Sequence, residues 1–116
     1  MFFFNSKIRV TLIGLILGLL MGGCAEESEF ERTKRLAIDG DASAQYNLGV
    51  MYNNGTGVPQ DYKESYAWSS LAKADGQELA EKILGIVTKE MTKEQITEAQ
   101  SLSTEIFKRI EANRKD

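Results

Sequence analysis

Two short features of the sequence could carry chemistry. Cys24 is the only cysteine, and Ser70 and Lys73 form an S-x-x-K spacing that places a serine hydroxyl one helical turn from an amine. The chain contains no histidine, so a Ser-His-Asp triad, a Cys-His pair or a histidine-ligated zinc site cannot be built from it. A lone cysteine also cannot form an internal disulfide or a thiolate cage. We therefore expect no enzyme activity, no metal site and no cofactor.

The serine–lysine pair stands without the other elements of the enzymes that use it. Class A β-lactamases and penicillin-binding proteins add S-D-N and K-T-G elements, and neither occurs in this sequence. We interpret Ser70 and Lys73 as ordinary residues on the exposed side of a helix. An envelope hydrolase or a β-lactamase-like activity is an alternative that rests on this spacing alone.

Cys24 closes an apolar segment near the start of the sequence. Lys7 and Arg9 precede the apolar stretch 10–21, and two glycines lead into the cysteine, which is the plan of a secretory signal. As a helix, residues 10–23 would span only about 21 Å, whereas a bilayer core is about 30 Å thick. The pattern therefore favours a cleaved segment over one that crosses the membrane.

Residues 20–24, Leu-Met-Gly-Gly-Cys, resemble the lipobox of bacterial lipoproteins, in which the cysteine is lipidated and becomes the first residue. Met21 departs from the leucine that is usual there. The resemblance implies that residues 1–23 are a signal peptide, that Cys24 carries acyl chains such as palmitate, and that residues 24–29 are a tether. Because Ala25 rather than aspartate follows the cysteine, it also implies the periplasmic face of the outer membrane.

The charge of the chain bears on its partners. The net charge is −3, and removal of residues 1–23, with Lys7 and Arg9, leaves 12 basic against 17 acidic residues, a net charge of −5. A nucleic-acid partner requires clustered basic residues, so we expect none. The membrane contact is predicted to be the lipid on Cys24, not a basic patch.

The remaining sequence repeats with a period of 36 residues, which is typical of helical-hairpin repeats. Aspartate–glycine pairs recur at 39–40 and 75–76, and leucine–glycine pairs at 48–49 and 84–85. Gly40 and Gly76 stand where a helix would end with positive φ, and the cluster of Asn, Gly and Pro at 53–59 predicts a turn. Gly49 and Gly85 fall inside helices, where we expect them to admit a closely packed neighbour.

Apolar residues recur with the 3.6-residue period of helices throughout this region. Asp41 is predicted as an N-cap, Asp61 with Glu64 resembles a capping box, and Thr92 with Gln95 forms a T-x-x-Q box. The predicted helical segments are 30–38, 41 to about 52, 61 to about 74, 77 to about 90 and 92 to about 113. Their predicted apolar faces include Phe30, Ala37, Ile38, Ala44, Leu48, Met51, Tyr52, Tyr62, Tyr66, Ala67, Leu71, Ala74, Leu79, Ala80, Ile83, Leu84, Val87, Ile96, Ala99, Ser103, Ile106 and Ile110.

The stretch 40–76 resembles the Sel1-like repeat, an α/α hairpin related to tetratricopeptide repeats. Residues 40–52 match the family's G-D-A-x-A-Q-x-x-L-G-x-M-Y stretch, and residues 55–62 match its G-x-G-V-x-x-D-Y turn. Ala67 and Trp68 depart by spacing from the usual A-x-x-W. The resemblance implies an all-α short solenoid, with repeat units over 30–91 and a C-terminal capping helix over 92–116, that binds proteins and has no fixed chemistry.

A partner surface is predicted on the helix that starts after Asp41. Tyr46, Val50 and Asn53 lie away from its core stripe, and apolar residues on an outer face favour a partner. The alternative is that Tyr46 or Val50 packs against the first segment or the last helix of the same chain.

Two functions remain in competition beside the hydrolase alternative. The first is a lipid-anchored adaptor that binds a protein or peptide of the bacterial cell envelope. The second is a small structural lipoprotein that self-associates as a homo-oligomer. The second rests on the last helix, which at about 33 Å is longer than its neighbours can cover. Its overhang is predicted to expose Ile106, Phe107 and Ile110.

Overall fold

The computed structural model describes residues 26–115, and in this part of the chain it contains five helices and no strand. The helices are α1 (Glu29–Ile38), α2 (Ala42–Asn54), α3 (Tyr62–Ala74), α4 (Ala80–Thr88) and α5 (Lys93–Lys115). The predicted all-α fold is confirmed. None of the five helices is both long enough and apolar enough to cross a membrane. The predicted lipidation site, Cys24, lies outside the described residues.

Side-chain caps begin most of the helices where the sequence predicted them. The Asp41 carboxylate accepts a hydrogen bond from Ala44 N at 2.8 Å, and the Asp61 carboxylate accepts two, from the amides of residues 63 and 64. The Thr92–Gln95 box is formed in both directions: Gln95 N donates to Thr92 Oγ1 at 3.1 Å, and Thr92 N donates to Gln95 Oε1 at 2.9 Å. Such caps satisfy amides that have no partner inside the helix.

The capping box predicted from Asp61 and Glu64 is only half formed. Asp61 N donates to Tyr52 O at 3.0 Å, so the Glu64 carboxylate is not needed there. That carboxylate instead accepts a hydrogen bond from Trp68 Nε1 at 3.1 Å. A backbone hydrogen bond to α2 has therefore replaced the predicted one from the Asp61 amide to the Glu64 side chain.

Gly40 and Gly76 end α1 and α3 with the same turn. Their φ angles are +99° and +95°, which a residue with a Cβ rarely adopts. The turn lets Asp41 N donate to Leu36 O at 3.1 Å and, 36 residues later, Gln77 N donate to Ala72 O at 2.9 Å. The predicted positive φ at both glycines is confirmed, and the same turn recurs after 36 residues.

The hairpin of α2 and α3 is closely packed at Gly49. A Cβ built on this glycine would lie 2.3 Å from Ser69 Oγ and 3.3 Å from Ser65 O. The Ser65 hydroxyl donates to Gly49 O at 2.6 Å, so side chain and backbone meet directly. The predicted close approach is confirmed at this position.

The core lies between α1, α2, α3 and α5. Phe30 of α1 meets Tyr52 of α2 edge-to-face, with ring centroids 5.7 Å apart. Gln45 is also buried and donates to Ala37 O at 3.2 Å, which ties α2 to the end of α1. The other core residues are Ala37, Ala44, Leu48, Met51, Ala67, Trp68, Leu71, Ile106 and Ile110. Ala74, predicted to face the core, is exposed.

α4 is shorter than predicted, and two of its expected contacts are missing. The amides of residues 80–82 donate to the carbonyls three positions earlier, so residues 77–79 form a turn. The helix itself begins only at Ala80, and no side chain caps it. Leu79 therefore lies in the preceding turn and is 56% exposed, where a buried residue was predicted. A Cβ on Gly85 would meet no atom within 4 Å, so the predicted close neighbour at this glycine is wrong.

The path of α5 explains why the face of α4 at Gly85 is uncovered. Seven residues, 55–61, connect α2 to α3, but only four, 89–92, connect α4 to α5. The short connection contains no Gly or Pro to turn the chain back along α4. α5 packs against α3 and touches α1, while its contact with α4 is at most slight.

The predicted overhang of α5 is wrong for two of its three residues. Ile106 and Ile110 are 6% and 4% exposed because α5 lies across the core, whereas Phe107 is half exposed. The apolar surface that favoured self-association is therefore largely covered by the chain itself.

Candidate functional site

A groove lies over α3, with α1 along one wall and α5 along the other. Its volume is about 300 Å³, within the usual range for small ligand pockets. Most of its wall is apolar, and six of the lining side chains, on α1, α2, α3 and α5, are charged or can form hydrogen bonds. The lining residues are Lys34, Ile38, Tyr52, Glu64, Trp68, Leu102, Ile106, Arg109, Ile110 and Asn113.

The floor of the groove holds a fixed carboxylate. Glu64 and Trp68 lie one turn apart on α3, and Trp68 Nε1 donates to Glu64 Oε2 at 3.1 Å. Burial raises the pKa of Glu64, an effect that the hydrogen bond from Trp68 opposes. The hydrogen bond therefore fixes the orientation of a carboxylate that is only half exposed to water.

Tyr52 also lines the groove, near this carboxylate. Burial raises the pKa of Tyr52 to about 12, and the nearby carboxylates Glu64, Asp61 and Glu31 add to the effect. The phenol therefore keeps its proton at neutral pH. Its ring also packs edge-to-face on Phe30, which holds it in the core.

The two walls each carry a cation. Lys34 of α1 places its ammonium 5.9 Å from the centre of the Phe30 ring, within the range of a cation–π contact. Arg109 lines the facing wall on α5. Within residues 26–115, neither cation has a carboxylate oxygen within 4 Å, in contrast to Lys63, which binds Glu98 at 2.8 Å. The two cations and the negative charge of Glu64 give the lining of the groove a net charge of +1.

The residues predicted to bind a partner lie elsewhere. Tyr46, Val50 and Asn53 are each half-buried on α2 and do not line the groove. The backbone carbonyl of Asn53 accepts a hydrogen bond from Gln60 Nε2 at 3.2 Å, which fastens the turn before α3. Whether this face of α2 binds a partner stays a prediction.

The serine–lysine pair is held in surface contacts. The Lys73 ammonium forms an ion pair with the Glu81 carboxylate of α4, and both side chains are more than half exposed. Ser70 is half-buried on α3. The amine is thus placed as the partner of an acid on the next helix. In residues 26–115, no three Cys, Asp or Glu side chains are grouped so that they could hold a metal ion.

Sequence reasoning missed the groove because its walls are far apart in the chain. The spacing of Glu64 and Trp68 by one helical turn was visible, but Glu64 was interpreted only as a capping residue. Arg109 and Ile110 become part of a site only because α5 crosses α3 next to α1. The other visible signal was the pair of isoleucines, Ile106 and Ile110, which lie one turn apart on the last helix.

Comparison with protein families supports the repeat. The Sel1 repeat family model matches residues 42–77, which span α2, α3 and the turn that follows. Residues 42–77 are therefore similar to a Sel1 repeat, as the motifs at 40–62 predicted. Repeats of this family typically mediate protein–protein interactions and are generally not enzymes. Comparison with curated proteins and with solved structures gave no match.

Proposed function

We propose that this protein is a lipid-anchored adaptor of the bacterial cell envelope that binds a segment of another protein in the groove between α1 and α5. The observation that carries the proposal is the groove itself, which combines an apolar wall with oriented polar groups and adjoins a Sel1 repeat. Pockets that bind ligands specifically have this composition, because apolar contact supplies affinity and a few polar groups fix orientation.

The size of the groove suits a short peptide segment. An aliphatic side chain that moves from water into full contact with such a wall gains about 1.5–3 kcal/mol. Leu102, which is half-buried at the wall of the groove, offers apolar surface that its own chain leaves partly open. Contacts of this kind and the polar contacts of the groove must together outweigh the cost of association, so we expect a weak and reversible complex.

The anchor is the second part of the proposal. It rests on the lipobox-like residues before Cys24 and on the short distance in the sequence between this cysteine and α1, which begins at Glu29. Five extended residues span at most about 18 Å. Lipid on Cys24 would therefore keep the groove close to the membrane surface, where it would meet other envelope proteins.

Site-specific photo-crosslinking in intact cells tests the binding site. A photoreactive residue in place of Leu102 should capture a partner, because it faces the groove. The matched control is the same residue in place of Thr104, which is exposed on the same helix and does not line the groove. A third variant at Tyr46 tests the predicted face of α2.

The outcomes separate the alternatives. Capture from position 102 and not from 104 supports the groove, whereas capture from 46 alone moves the site to α2. Absence of a crosslinked species from both 102 and 46, in cells where the protein is present at normal levels, would refute the adaptor function. A crosslinked species with the mass of two copies of the chain would favour self-association.

A further inference from the structure

The charge of the groove leaves one positive charge without a partner. Lys34 and Arg109 stand on opposite walls, Glu64 supplies one negative charge, and in the described part of the chain no other carboxylate lines the groove. Outside the lining, the carboxylates of Asp61 and Glu31 are near enough to Tyr52 to help raise the pKa of its hydroxyl. An occupant with one negative charge would therefore neutralise the lining, in which Lys34 is half-buried and Arg109 is exposed.

We propose that the groove recognises the C-terminal residue of its partner protein, an aliphatic residue with a free carboxylate. This inference rests on the proposed function. The carboxylate lies between Lys34 and Arg109, where it accepts charge-assisted hydrogen bonds from both walls. The aliphatic side chain packs on Leu102, Ile106 and Ile110, and a backbone N–H of the peptide donates to Glu64.

A chain end fits this site better than an internal segment. A C-terminal residue carries its negative charge and its apolar side chain on the same Cα. This arrangement matches a groove whose cations lie beside an apolar wall. Beside the hydrogen bond from Trp68, the Glu64 carboxylate can accept another from a peptide N–H, which a fatty acid lacks.

Peptide titrations of the full chain in lipid nanodiscs test this recognition. Trp68 is the only tryptophan and lies on the floor of the groove, so its fluorescence reports occupancy. The probes are tryptophan-free hexapeptide pools, one pool for each C-terminal residue type, each made with a free carboxylate and as the C-terminal amide. Sodium laurate serves as a carboxylate with an aliphatic chain and no peptide bond.

We expect saturable binding of the pools that end in leucine, isoleucine or valine, and a loss of about a hundredfold in affinity on amidation, because the amide lacks the charge that both cations contact. Lys34→Gln and Arg109→Gln should each weaken the free-acid pools by about tenfold and leave the amides unchanged. The matched controls are Arg32→Gln and Lys108→Gln, exposed neighbours that do not line the groove.

Equal affinity for acid and amide pools would overturn carboxylate recognition, and so would a preference for pools rich in internal aspartate or glutamate. Laurate binding as tight as that of the best pool and insensitive to Glu64→Gln would assign the site to fatty acids. Amide pools that bind as well as the free-acid pools would not contradict the adaptor function. If no pool binds, C-terminal recognition is wrong, and the crosslinking from position 102 still decides the adaptor function.

Discussion

Gly49 and Gly85 occupy the same position of the 36-residue repeat, and alanine at these two positions should have opposite effects on stability. Both glycines lie inside helices, where alanine is favoured by about 1 kcal/mol. At Gly85 a Cβ meets no atom within 4 Å, so Gly85→Ala should keep this gain. It should raise the free energy of unfolding by about 0.5–1 kcal/mol.

At Gly49 the gain is outweighed by overlap. The new Cβ would lie 2.3 Å from Ser69 Oγ and 3.3 Å from Ser65 O, so α2 and α3 must move apart or Ser69 must leave its rotamer. Overpacking of this kind costs about 1–3 kcal/mol. Separation of the helices would also weaken the hydrogen bond from Ser65 Oγ to Gly49 O, a contact worth about 1 kcal/mol. We expect Gly49→Ala to lower the free energy of unfolding by about 2 kcal/mol.

Urea unfolding followed by Trp68 fluorescence measures both variants. With a slope of about 1 kcal/mol per molar urea, the midpoint should fall by about 2 M for Gly49→Ala and rise by up to about 1 M for Gly85→Ala. The double variant Gly49→Ala/Ser69→Ala tests the cause. It removes the hydroxyl that would collide, which is buried without a hydrogen-bond partner in the described structure, and should recover part of the loss.

The reasoning would be refuted if Gly49→Ala were as stable as Gly85→Ala. If Ser69→Ala recovered no stability in the Gly49→Ala background, overlap with the Ser69 hydroxyl would not be the cause of the loss.

Three further predictions follow from caps, titration and the signal sequence. Thr92→Ala should lower the free energy of unfolding by about 1 kcal/mol in the same urea assay, because it removes the N-cap of α5. The control is Thr97→Ala, at an exposed position within α5, and an equal loss in the two variants would contradict a capping role for Thr92. Because the pKa of Tyr52 is raised from 10.0 to about 12, the folded chain retains a proton that the unfolded chain releases, so stability is fully present below pH 10 and falls as the pH rises through this window. Tyr52→Phe should therefore lose less stability between pH 10 and 12 than the unchanged chain, as measured by the urea midpoints at the two pH values. An equal loss in both proteins would refute the raised pKa of Tyr52. Cys24→Ser should leave an unprocessed precursor without acyl chains, visible by mass spectrometry of the membrane fraction, and normal cleavage of this variant would refute the lipoprotein prediction.

Local structure could be predicted from the sequence because its causes lie within a few residues. Asp41, Asp61 and Thr92 cap helices by hydrogen bonds to amides two or three positions away. Gly40 and Gly76 end helices because the turn itself requires a positive φ. The Sel1 motif likewise lies within one hairpin, where spacing along the chain and contact in space coincide. The all-α class, the cap positions and the repeat therefore followed from residue types and periods.

The docking of α4 and α5 was decided only in the tertiary structure. The repeat predicted that Gly85 would be packed as Gly49 is, and the length of α5 predicted that Ile106 and Ile110 would be exposed; both expectations were wrong. An apolar stripe shows that a face will be buried but not which of several apolar surfaces will cover it. Here a connection of four residues carries α5 across α3 towards α1, and that path buries both isoleucines, leaves α4 open at Gly85 and brings Arg109 into the same groove as Lys34.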